Sequence, residues 1–386
     1  MAEARYAQLV SRELESYRKV RPELALPSIF TYWATKHLSP RMRQVMGTAS
    51  PEEFFALHLR QAMDTSGVRR IASLGCGDCA SEIDIARQLI ASGKTDFQFD
   101  CFDLSPHVLQ RANDAIAATA LSQFFRLHVA DINQWSSGPG VYAGVMVNHA
   151  LHHLAELEHV FSAIANGLHD QGLFVNADMI GRNGHMRWPE ALVIIQDEWR
   201  NLPSRCKYNH LLHRQEEEFI NWDCSKETFE GIRAQDILSL LVKQFGFVKF
   251  LAFGNLMDVF VERTFGPNFS PNRREDTAFI DFLEELNTTL INASRLKPTQ
   301  MFAVMTKQAV TEPVCDRGWT PEFCIRDPRL ERLPAVALPE QLGSAPIRTE
   351  LRYRVADRLN EHLKVLGPLH RTLKTILQSL LVEKGH

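Results

Sequence analysis

The sequence predicts an α/β protein with a doubly wound, mostly parallel sheet of seven strands. Three observations indicate this fold. Apolar runs of strand length alternate with helical segments between Ile71 and Ala177, and parallel strands need such crossover connections. A glycine-rich turn follows the first run, and an Asp or Asn stands at or near the end of each of the next three. Ligands of such sheets bind outside the carboxyl ends of the strands, so we expect these residues to meet at one edge.

Composition excludes several classes of protein. The 386 residues are 45% hydrophobic, which is enough for a sizeable core, and the formal net charge of −3 gives no sign of the basic excess typical of nucleic-acid binding. No apolar run approaches the roughly 18 residues that span a bilayer, and the first residues lack the order of a secretory signal. We therefore expect a cytoplasmic protein without a nucleic-acid partner.

The seven cysteines are odd in number and scattered, which argues against a disulfide framework. Cys76 and Cys79 have the spacing of a redox or zinc pair. A structural zinc site needs four ligands, however, and the sequence has no second pair of this kind. We expect both to be small residues of a turn and a helix start, and we expect no metal site.

Residues 1–70 are predicted to be helical and to cover the sheet. Apolar residues in the first segment recur at helical spacing, and Ser50 followed by Pro51 is typical of a helix start. Tyr32 is a candidate substrate contact, with Trp33 and His37 as further candidates for the cover. Packing against the core is the alternative for each of the three.

The stretch from Ile71 to Asp103 predicts a strand, a glycine turn, a helix and a second strand that ends on an acid. Glycines at 75 and 77 let the backbone turn tightly and let a ligand approach closely. The following helix presents unpaired N–H groups and the positive end of its dipole to that ligand. An acid at the end of the second strand is suited to accept hydrogen bonds from a ribose diol. We therefore expect a cofactor that contains a nucleoside.

Three further motifs specify the cofactor. Asp131 and Ile132 follow the third apolar run, where an acid suits an adenine amino group, and the fourth run ends in the block 148–154. A fifth strand at 172–177 and a closing pair at 247–253 and 301–305 complete the pattern. This ordered set resembles the class I S-adenosylmethionine-dependent methyltransferases over roughly residues 70–308. The resemblance implies a Rossmann-like sheet that binds S-adenosylmethionine through Gly75, Cys76, Gly77, Glu82, Asp103, Leu104, Asp131, Ile132, Asn148 and His149.

The glycine turn departs from the family at two positions. The family usually has an acid two residues before the first glycine and a third glycine four residues after it, whereas this chain has Ser73 and Cys79. Glu82, near the start of the first helix of this unit, is a candidate for the missing carboxylate. The alternative is an ordinary first-turn acid that complements the helix dipole.

Methyl transfer from a sulfonium is an in-line displacement in which the enzyme mainly aligns nucleophile and methyl carbon. If the acceptor is an alcohol, a base must also take its proton. His152 and His153 follow the fourth strand, and histidine titrates near neutral pH. We predict that one of them, with His152 preferred, is the general base of an O-methyltransferase acting on a small molecule or on a sugar or glycan precursor. The alternative is a histidine pair that holds the loop by hydrogen bonds.

Two other functions stay open on the sequence alone. The glycine turn also fits an NAD(P)-dependent oxidoreductase, although Asp131-Ile132, the block 148–153 and the closing hairpin argue against it. The altered residues Ser73 and Cys79 leave room for a scaffold that keeps the cofactor fold without catalysis.

The predicted methyltransferase domain spans residues 71–308 and contains two insertions. Residues 178–233 are polar and aromatic and are predicted to form a lid over the site, whereas residues 258–297 have helical spacing. A surface subdomain with a small tryptophan core is the alternative for the lid. Its candidate substrate contacts are Asn183, His185, Trp188, Tyr208 and Arg233.

The last part of the chain has a different composition. Residues 309–343 contain five prolines, which is typical of an extended linker. Residues 344–386 carry leucines at helical spacing and an excess of Lys and Arg, which predicts a basic amphipathic helix. Such a helix packs within the chain or between copies of it, docks on a protein partner, or lies at a membrane surface.

Overall fold

The computed structural model describes residues 3–18 and 25–330. The chain divides into two units, Met1–Pro334 and Ala335–His386, and the second unit lies wholly outside the described residues. The predicted tail 344–386 and the second half of the predicted linker therefore lie outside them as well.

Ten strands occur in the described part of the chain. They are β1 (Arg70–Leu74), β2 (Gln98–Asp103), β3 (Phe125–Val129), β4 (Tyr142–Asn148), β5 (Leu168–Met179), β6 (Tyr208–Asn209), β7 (Arg214–Gln215), β8 (Gly246–Phe253), β9 (Gln300–Thr306) and β10 (Val314–Cys315). Eight of them form one sheet in the order β10-β8-β9-β5-β4-β1-β2-β3, and β6 and β7 form a separate hairpin.

The direction of the strands follows the predicted fold class. Strands β3, β2, β1, β4 and β5 run parallel to one another. Strand β9 pairs antiparallel with both β5 and β8, so the closing pair predicted from the sequence is present. The first six residues of β4 are buried, which is typical of parallel strands covered on both faces.

The described helices surround this sheet. They are α1 (Glu3–Arg18), α2 (Ser28–Trp33), α3 (Ser39–Met46), α4 (Pro51–Ser66), α5 (Ala80–Ala91), α6 (Pro106–Ala117), α7 (Leu157–Gly167), α8 (Pro189–Asn201), α9 (Ala234–Gln244), α10 (Asp258–Val261), α11 (Arg274–Asn292) and α12 (Pro321–Cys324). A π-helical turn over 34–38 joins α2 to α3. None of the described helices is long and apolar enough to span a membrane.

Helix α4 begins where the sequence predicts. The Ser50 side chain accepts a hydrogen bond from the Glu53 N–H and caps the helix, and Pro51 occupies its first position. The helix buries Phe54, Phe55 and further apolar residues on its inner face. It packs against β4 and β5, while α3 packs against β8, so both of these helices of the N-terminal segment cover the sheet.

Two predictions are wrong for the segment after residue 309. The sheet has eight strands rather than seven, and the extended linker does not start at this residue. Residues 314–315 form the eighth strand of the sheet, parallel to β8, and α12 follows. The Arg41 Nε lies 2.5 Å from a carboxylate oxygen of Asp316, and the Arg41 guanidinium lies over the ring of Trp319, which is 2% exposed. This first half of the proline-rich segment is therefore packed on the domain rather than extended away from it.

The two predicted insertions have distinct structures. The segment 178–233 contains α8 and the β6–β7 hairpin, and the Trp199 ring packs against those of Phe219 and Phe265. This packing agrees with the small aromatic core predicted as the alternative role of the tryptophans. The segment 258–297 is helical as predicted and contains α10 and α11.

Candidate functional site

The glycine turn lies between β1 and α5, at the carboxyl end of β1. The Gly75 and Cys76 N–H groups donate to the Phe102 carbonyl at 2.8 and 3.1 Å, which fixes the turn to the end of β2. Gly75 has a φ of 75°, and a Cβ atom there would lie 2.5 Å from the Cβ of Ala150. Only glycine therefore allows the turn to approach the loop after β4 this closely.

Asp103 ends β2 and faces this turn. Its carboxylate accepts hydrogen bonds from the N–H groups of Gly77 at 3.0 Å and Ser105 at 2.9 Å. Leu104 lies between Asp103 and Ser105 in the chain. Burial raises the pKa of the Asp103 carboxyl, although the two N–H bonds act in the opposite direction. The predicted ribose acid is therefore held in place by the backbone of the glycine turn.

Glu82 interacts with the serine that replaces the acid usual at position 73. The Ser73 hydroxyl donates a hydrogen bond of 2.6 Å to Oε1 of Glu82, whose side chain is only 3% exposed. Burial and the nearby Cys79 raise the pKa of Glu82 to about 8, so its carboxyl is protonated at neutral pH. The alternative role of Glu82, an acid in the first turn that complements the helix dipole, does not require its side chain to be buried.

Three cysteines come together beneath the turn. The Sγ atoms of Cys76, Cys79 and Cys101 all lie within 4.8 Å of one another, and all three residues are buried and free of disulfides. Cys79 has a φ of 60°, in the left-handed region, at the position where the family has a third glycine. The sequence identified the first two as turn residues but gave no signal that Cys101 joins them.

The loop after β3 contacts the N-terminal helix. Oδ2 of Asp131 accepts a 2.6 Å hydrogen bond from the Tyr6 hydroxyl, and Oδ1 accepts the Asn133 N–H at 3.0 Å. Burial and Asp131 raise the pKa of Tyr6. Ile132 is buried next to this acid. Helix α1 therefore reaches the predicted adenine position, a contact that the sequence analysis missed because Tyr6 is 125 residues away.

The loop after β4 is organised by Asp178 at the end of β5. Oδ2 of Asp178 accepts the N–H groups of Ala150 and Leu151, and Oδ1 lies 2.6 Å from Nδ1 of His152. The His149 N–H donates to the Ala177 carbonyl at 2.7 Å. At the start of the loop, the Asn148 amide donates to the Ser81 hydroxyl of α5 at 3.3 Å. The block after β4 is thus tied to β5 and to the first helix of the predicted cofactor site.

The predicted catalytic pair meets two residues from later loops. Nε2 of His152 and Nε2 of His185 lie 3.4 and 2.5 Å from Oε1 of Glu230, and Nε2 of His153 lies 3.5 Å from its Oε2. Nδ1 of His153 is 3.6 Å from Glu13 and makes no hydrogen bond to any described residue. The sequence analysis named His185 as a candidate substrate contact. It gave no signal for Glu230, which lies in a polar loop and belongs to no recognised motif.

The charges of this cluster shift the pKa values of its members. Burial alone lowers the pKa of His152, but Asp178 and Glu230 outweigh it and raise that pKa to about 10. Burial and the positive charge of His152 lower the pKa of His153 to about 4. For Glu230 burial opposes ionisation, but His152 and His185 hold its pKa well below its ordinary value. The two carboxylates therefore favour a proton on His152, whereas burial and the neighbouring His152 disfavour one on His153.

The other predicted substrate contacts have structural partners instead. The Tyr32 hydroxyl donates to Asp281 of α11, and Arg233 binds Glu158 with two nitrogens. The Asn183 side chain accepts the Gln235 N–H at the start of α9. The guanidinium groups of Arg182 and Arg326 both lie over the Trp188 ring, and the Tyr208 ring packs on His210. Of the six predicted substrate residues, the structure brings only His185 to the histidine pair.

A small cavity of about 20 Å³, roughly the space of one water molecule, opens beside His185. Arg182, Arg187, Asp258 and Gln300 are among the residues that line it. Arg187 is bound to Asp258 through Nη1 at 3.2 Å. The cavity therefore adjoins the histidine cluster on the side of the predicted lid.

Comparison with known proteins relates this site to one family. Residues 72–174 match a family model described as a methyltransferase domain. This segment contains all ten predicted cofactor residues and both predicted catalytic histidines. No curated protein sequence matches the chain.

Several solved structures have a similar chain path. The chain is 12% identical to a geranyl diphosphate methyltransferase structure with GPP and sinefungin, with a TM-score of 0.40 over 68% of this chain and 78% of the other. It is 11% identical to geranyl diphosphate C-methyltransferase from Streptomyces coelicolor A3(2), with a TM-score of 0.41 over 78% and 98% of the two chains. It is 14% identical to StiE O-MT, with a TM-score of 0.38 over 75% and 85%.

Proposed function

We propose that this chain, in which residues 72–174 form a methyltransferase domain, transfers a methyl group from S-adenosylmethionine to an oxygen atom of a small molecule. The observation that carries the proposal is the meeting of three loops at the carboxyl edge of the sheet. Gly75 of the first loop contacts Ala150 of the loop after β4, and Gly77 donates to Asp103 at the end of β2. A nucleoside cofactor fits such an edge.

The cofactor end of the site follows from this arrangement. Asp103 is available for the ribose hydroxyls because two N–H groups orient its carboxylate without occupying all of its acceptor positions. Asp131 and Ile132 flank the adenine position, and Tyr6 of α1 closes it. Asn148 and His149 lie at the end of β4, beside the glycine turn, and are assigned to the amino-acid part of the cofactor.

The acceptor end is assigned to the histidine cluster. The acceptor oxygen attacks the methyl carbon in line, the bond from that carbon to sulfur breaks, and S-adenosylhomocysteine leaves. The hydroxyl proton passes to a histidine base. His153 is the better candidate because its side chain is 27% exposed against 4% for His152, whose two ring nitrogens face Asp178 and Glu230. Arg182 and Gln300 line the small cavity beside His185 and can hydrogen-bond an acceptor hydroxyl, such as that of a sugar or glycan precursor.

A calorimetric titration tests the cofactor part of the proposal. The purified full-length chain is titrated separately with S-adenosylmethionine, S-adenosylhomocysteine, NAD and NADP. We expect binding of the two adenosyl compounds alone. Binding of NAD or NADP alone would favour an oxidoreductase, and binding of none of the four would favour a scaffold.

A methyl-transfer assay tests the acceptor part. The chain is incubated with S-adenosylmethionine labelled on its methyl group and with a panel of sugars, glycan precursors and small alcohols. With an acceptor from this panel, His153→Gln should lower turnover by about a hundredfold or more, since a positioned base contributes about that factor, and it should retain cofactor affinity. Full turnover of this variant would contradict the role of His153.

A further inference from the structure

His152, His185 and Glu230 form a cluster of metal-ligating groups at the acceptor end of the site. Their ligand atoms all lie within 4.8 Å of one another. Oε1 of Glu230 is 2.5 Å from Nε2 of His185 and 3.4 Å from Nε2 of His152. An ion with bonds of about 2.0–2.2 Å to nitrogen and oxygen needs donors roughly 3 Å apart. Small side-chain shifts therefore let the three groups share one ion.

The backbone holds these three groups together. Gly184 precedes His185 and Gly231 follows Glu230, and the Gly184 N–H donates to the Gly231 carbonyl at 2.9 Å. A Cβ on Gly231 would lie 2.8 Å from the Gly184 nitrogen, so the two loops approach this closely only because residue 231 is glycine. The Ile232 N–H donates to the His152 carbonyl at 3.1 Å. The approach of the side chains is therefore built into the loops.

Asp178 orients the side chain of His152, one of the three metal-ligating groups. It is fully buried, and its Oδ1 lies 2.6 Å from Nδ1 of His152 while its Oδ2 accepts the N–H groups of Ala150 and Leu151. A metal-bound histidine almost always gives its second ring N–H to a carboxylate, a carbonyl or a water. With Nδ1 fixed in this way, Nε2 of His152 faces His185 and Glu230.

We propose that His152, His185 and Glu230 bind one divalent transition-metal ion and that Asp178 is a positioning residue for it. Two imidazoles and one carboxylate suit ions such as Zn²⁺, Fe²⁺ or Co²⁺, whereas Mg²⁺ and Ca²⁺ take oxygen ligands. Three protein ligands leave a coordination position for an acceptor oxygen. Bound there, such an ion would supply a Lewis acid for an acceptor hydroxyl. The role of the ion rests on the proposed function, but its binding does not.

Cobalt binding tests the site without an acceptor. The full-length chain is freed of metals by dialysis against a chelator and titrated with Co²⁺, with binding followed by visible absorption and counted by elemental mass spectrometry. We expect one ion per chain. His185→Ala and Glu230→Gln should abolish stoichiometric binding, and Asp178→Asn should weaken it by about 10- to 100-fold. His107→Ala, which removes an exposed histidine, is the matched control and should bind as the unaltered chain does.

Two results overturn the proposal: no stoichiometric uptake of Co²⁺ by the unaltered chain, or uptake that survives both His185→Ala and Glu230→Gln. If circular dichroism shows that His185→Ala is unfolded, His185→Cys replaces it. A folded His185→Cys should bind Co²⁺ with a thiolate-to-cobalt charge-transfer band, and binding without that band would exclude position 185 as a ligand.

Cofactor titration of the same metal-free samples separates this proposal from the proposed function. Binding of S-adenosylmethionine without binding of Co²⁺ overturns the ion site alone. Binding of Co²⁺ that depends on His185 and Glu230 supports the ion site even where S-adenosylmethionine does not bind, and that result would contradict the methyltransferase activity instead.

Discussion

Asp103 combines two tasks in one side chain, because it orders the glycine turn and faces the expected ribose. Asp103→Ala should weaken S-adenosylmethionine binding by about 10- to 100-fold. Hydrogen bonds to charged groups contribute about 1.5–3 kcal/mol, and about 1.4 kcal/mol corresponds to a factor of ten. Calorimetry measures the affinity. Asp96→Ala removes an exposed acid that pairs with Arg69 at the surface, and it should leave the affinity unchanged. Equal affinities for the two variants would remove the ribose assignment.

Glu82 makes stability depend on pH in a direction unusual for an acid. Its pKa of about 8 in the folded chain exceeds the ordinary value of 4.5 because it is buried and close to Cys79. Between these values the folded state holds a proton that the unfolded state has lost, so the free energy of unfolding falls as pH rises. The slope from this one group is at most about 1.4 kcal/mol per pH unit.

Denaturant unfolding of matched variants between pH 5 and 9 checks this dependence. Glu82→Gln keeps an acceptor for the Ser73 hydroxyl but removes the proton equilibrium, so its stability should fall less steeply with pH than that of the unaltered chain. Glu217→Gln removes an exposed carboxylate and should keep the original slope. The assignment fails if Glu82→Gln and the unaltered chain have the same slope.

At the scale of elements, the loops before α8 and α9 depend on the contact between Gly184 and Gly231. A Cβ on Gly184 would lie 2.0 Å from Oδ1 of Asp223, which is itself held by the hydroxyl of Ser225, and 3.0 Å from the Cys224 nitrogen. Gly67 has a similar φ of 73° but has open space at its Cβ position.

The pair of substitutions Gly184→Ala and Gly67→Ala separates crowding from backbone strain. Gly67→Ala should cost about 1–2 kcal/mol, since it forces one non-glycine residue into the left-handed region. Gly184→Ala should cost about 1–3 kcal/mol more because the added methyl also overpacks the loop. Urea unfolding gives both values. Equal losses of unfolding free energy would mean that the loop around His185 accommodates the added methyl group at no packing cost, which would contradict the prediction.

The elements differ in how well the sequence predicts them. Strands β1 to β5, β8 and β9 are predictable because each contains an apolar run of strand length, although the edge strand β3 is only partly buried. Strand β10 is not, since it has two residues and pairs only because α12 and the Arg41–Asp316 ion pair hold its segment on the sheet. Short edge strands depend on tertiary contacts that no local pattern records.

The residues of the candidate site also differ in how well the sequence predicts them. The glycine turn, Asp103 and the block after β4 are predictable because each motif lies at the end of a recognisable strand, and the match over residues 72–174 confirms the predicted methyltransferase family for this segment. Tyr6 and Glu230 reach the site through contacts across 125 and 78 residues of chain. Side chains such as Tyr32 and Arg233, predicted as substrate contacts, also have hydrogen-bond and ion-pair partners that no local pattern records.

At the scale of the whole molecule, charge is unevenly distributed along the chain. The net charge is −3, yet residues 344–386 carry more Lys and Arg than Asp and Glu. Every contact assigned to the cofactor belongs to the unit Met1–Pro334, whereas this basic segment belongs to Ala335–His386. The predicted amphipathic helix is therefore expected to serve association rather than cofactor binding.

Deletion of residues 344–386 should change the oligomeric state or the capture of partners and leave the affinity for S-adenosylmethionine unchanged. Light scattering gives the mass of the assembly, pull-down gives the partners, and calorimetry gives the affinity. Leu359→Asp combined with Leu363→Asp is the matched control, because it disrupts the apolar stripe at constant length and should reproduce the effect on association. An unchanged mass and partner set together with weaker cofactor binding would contradict the prediction, since the segment would then act on the catalytic unit.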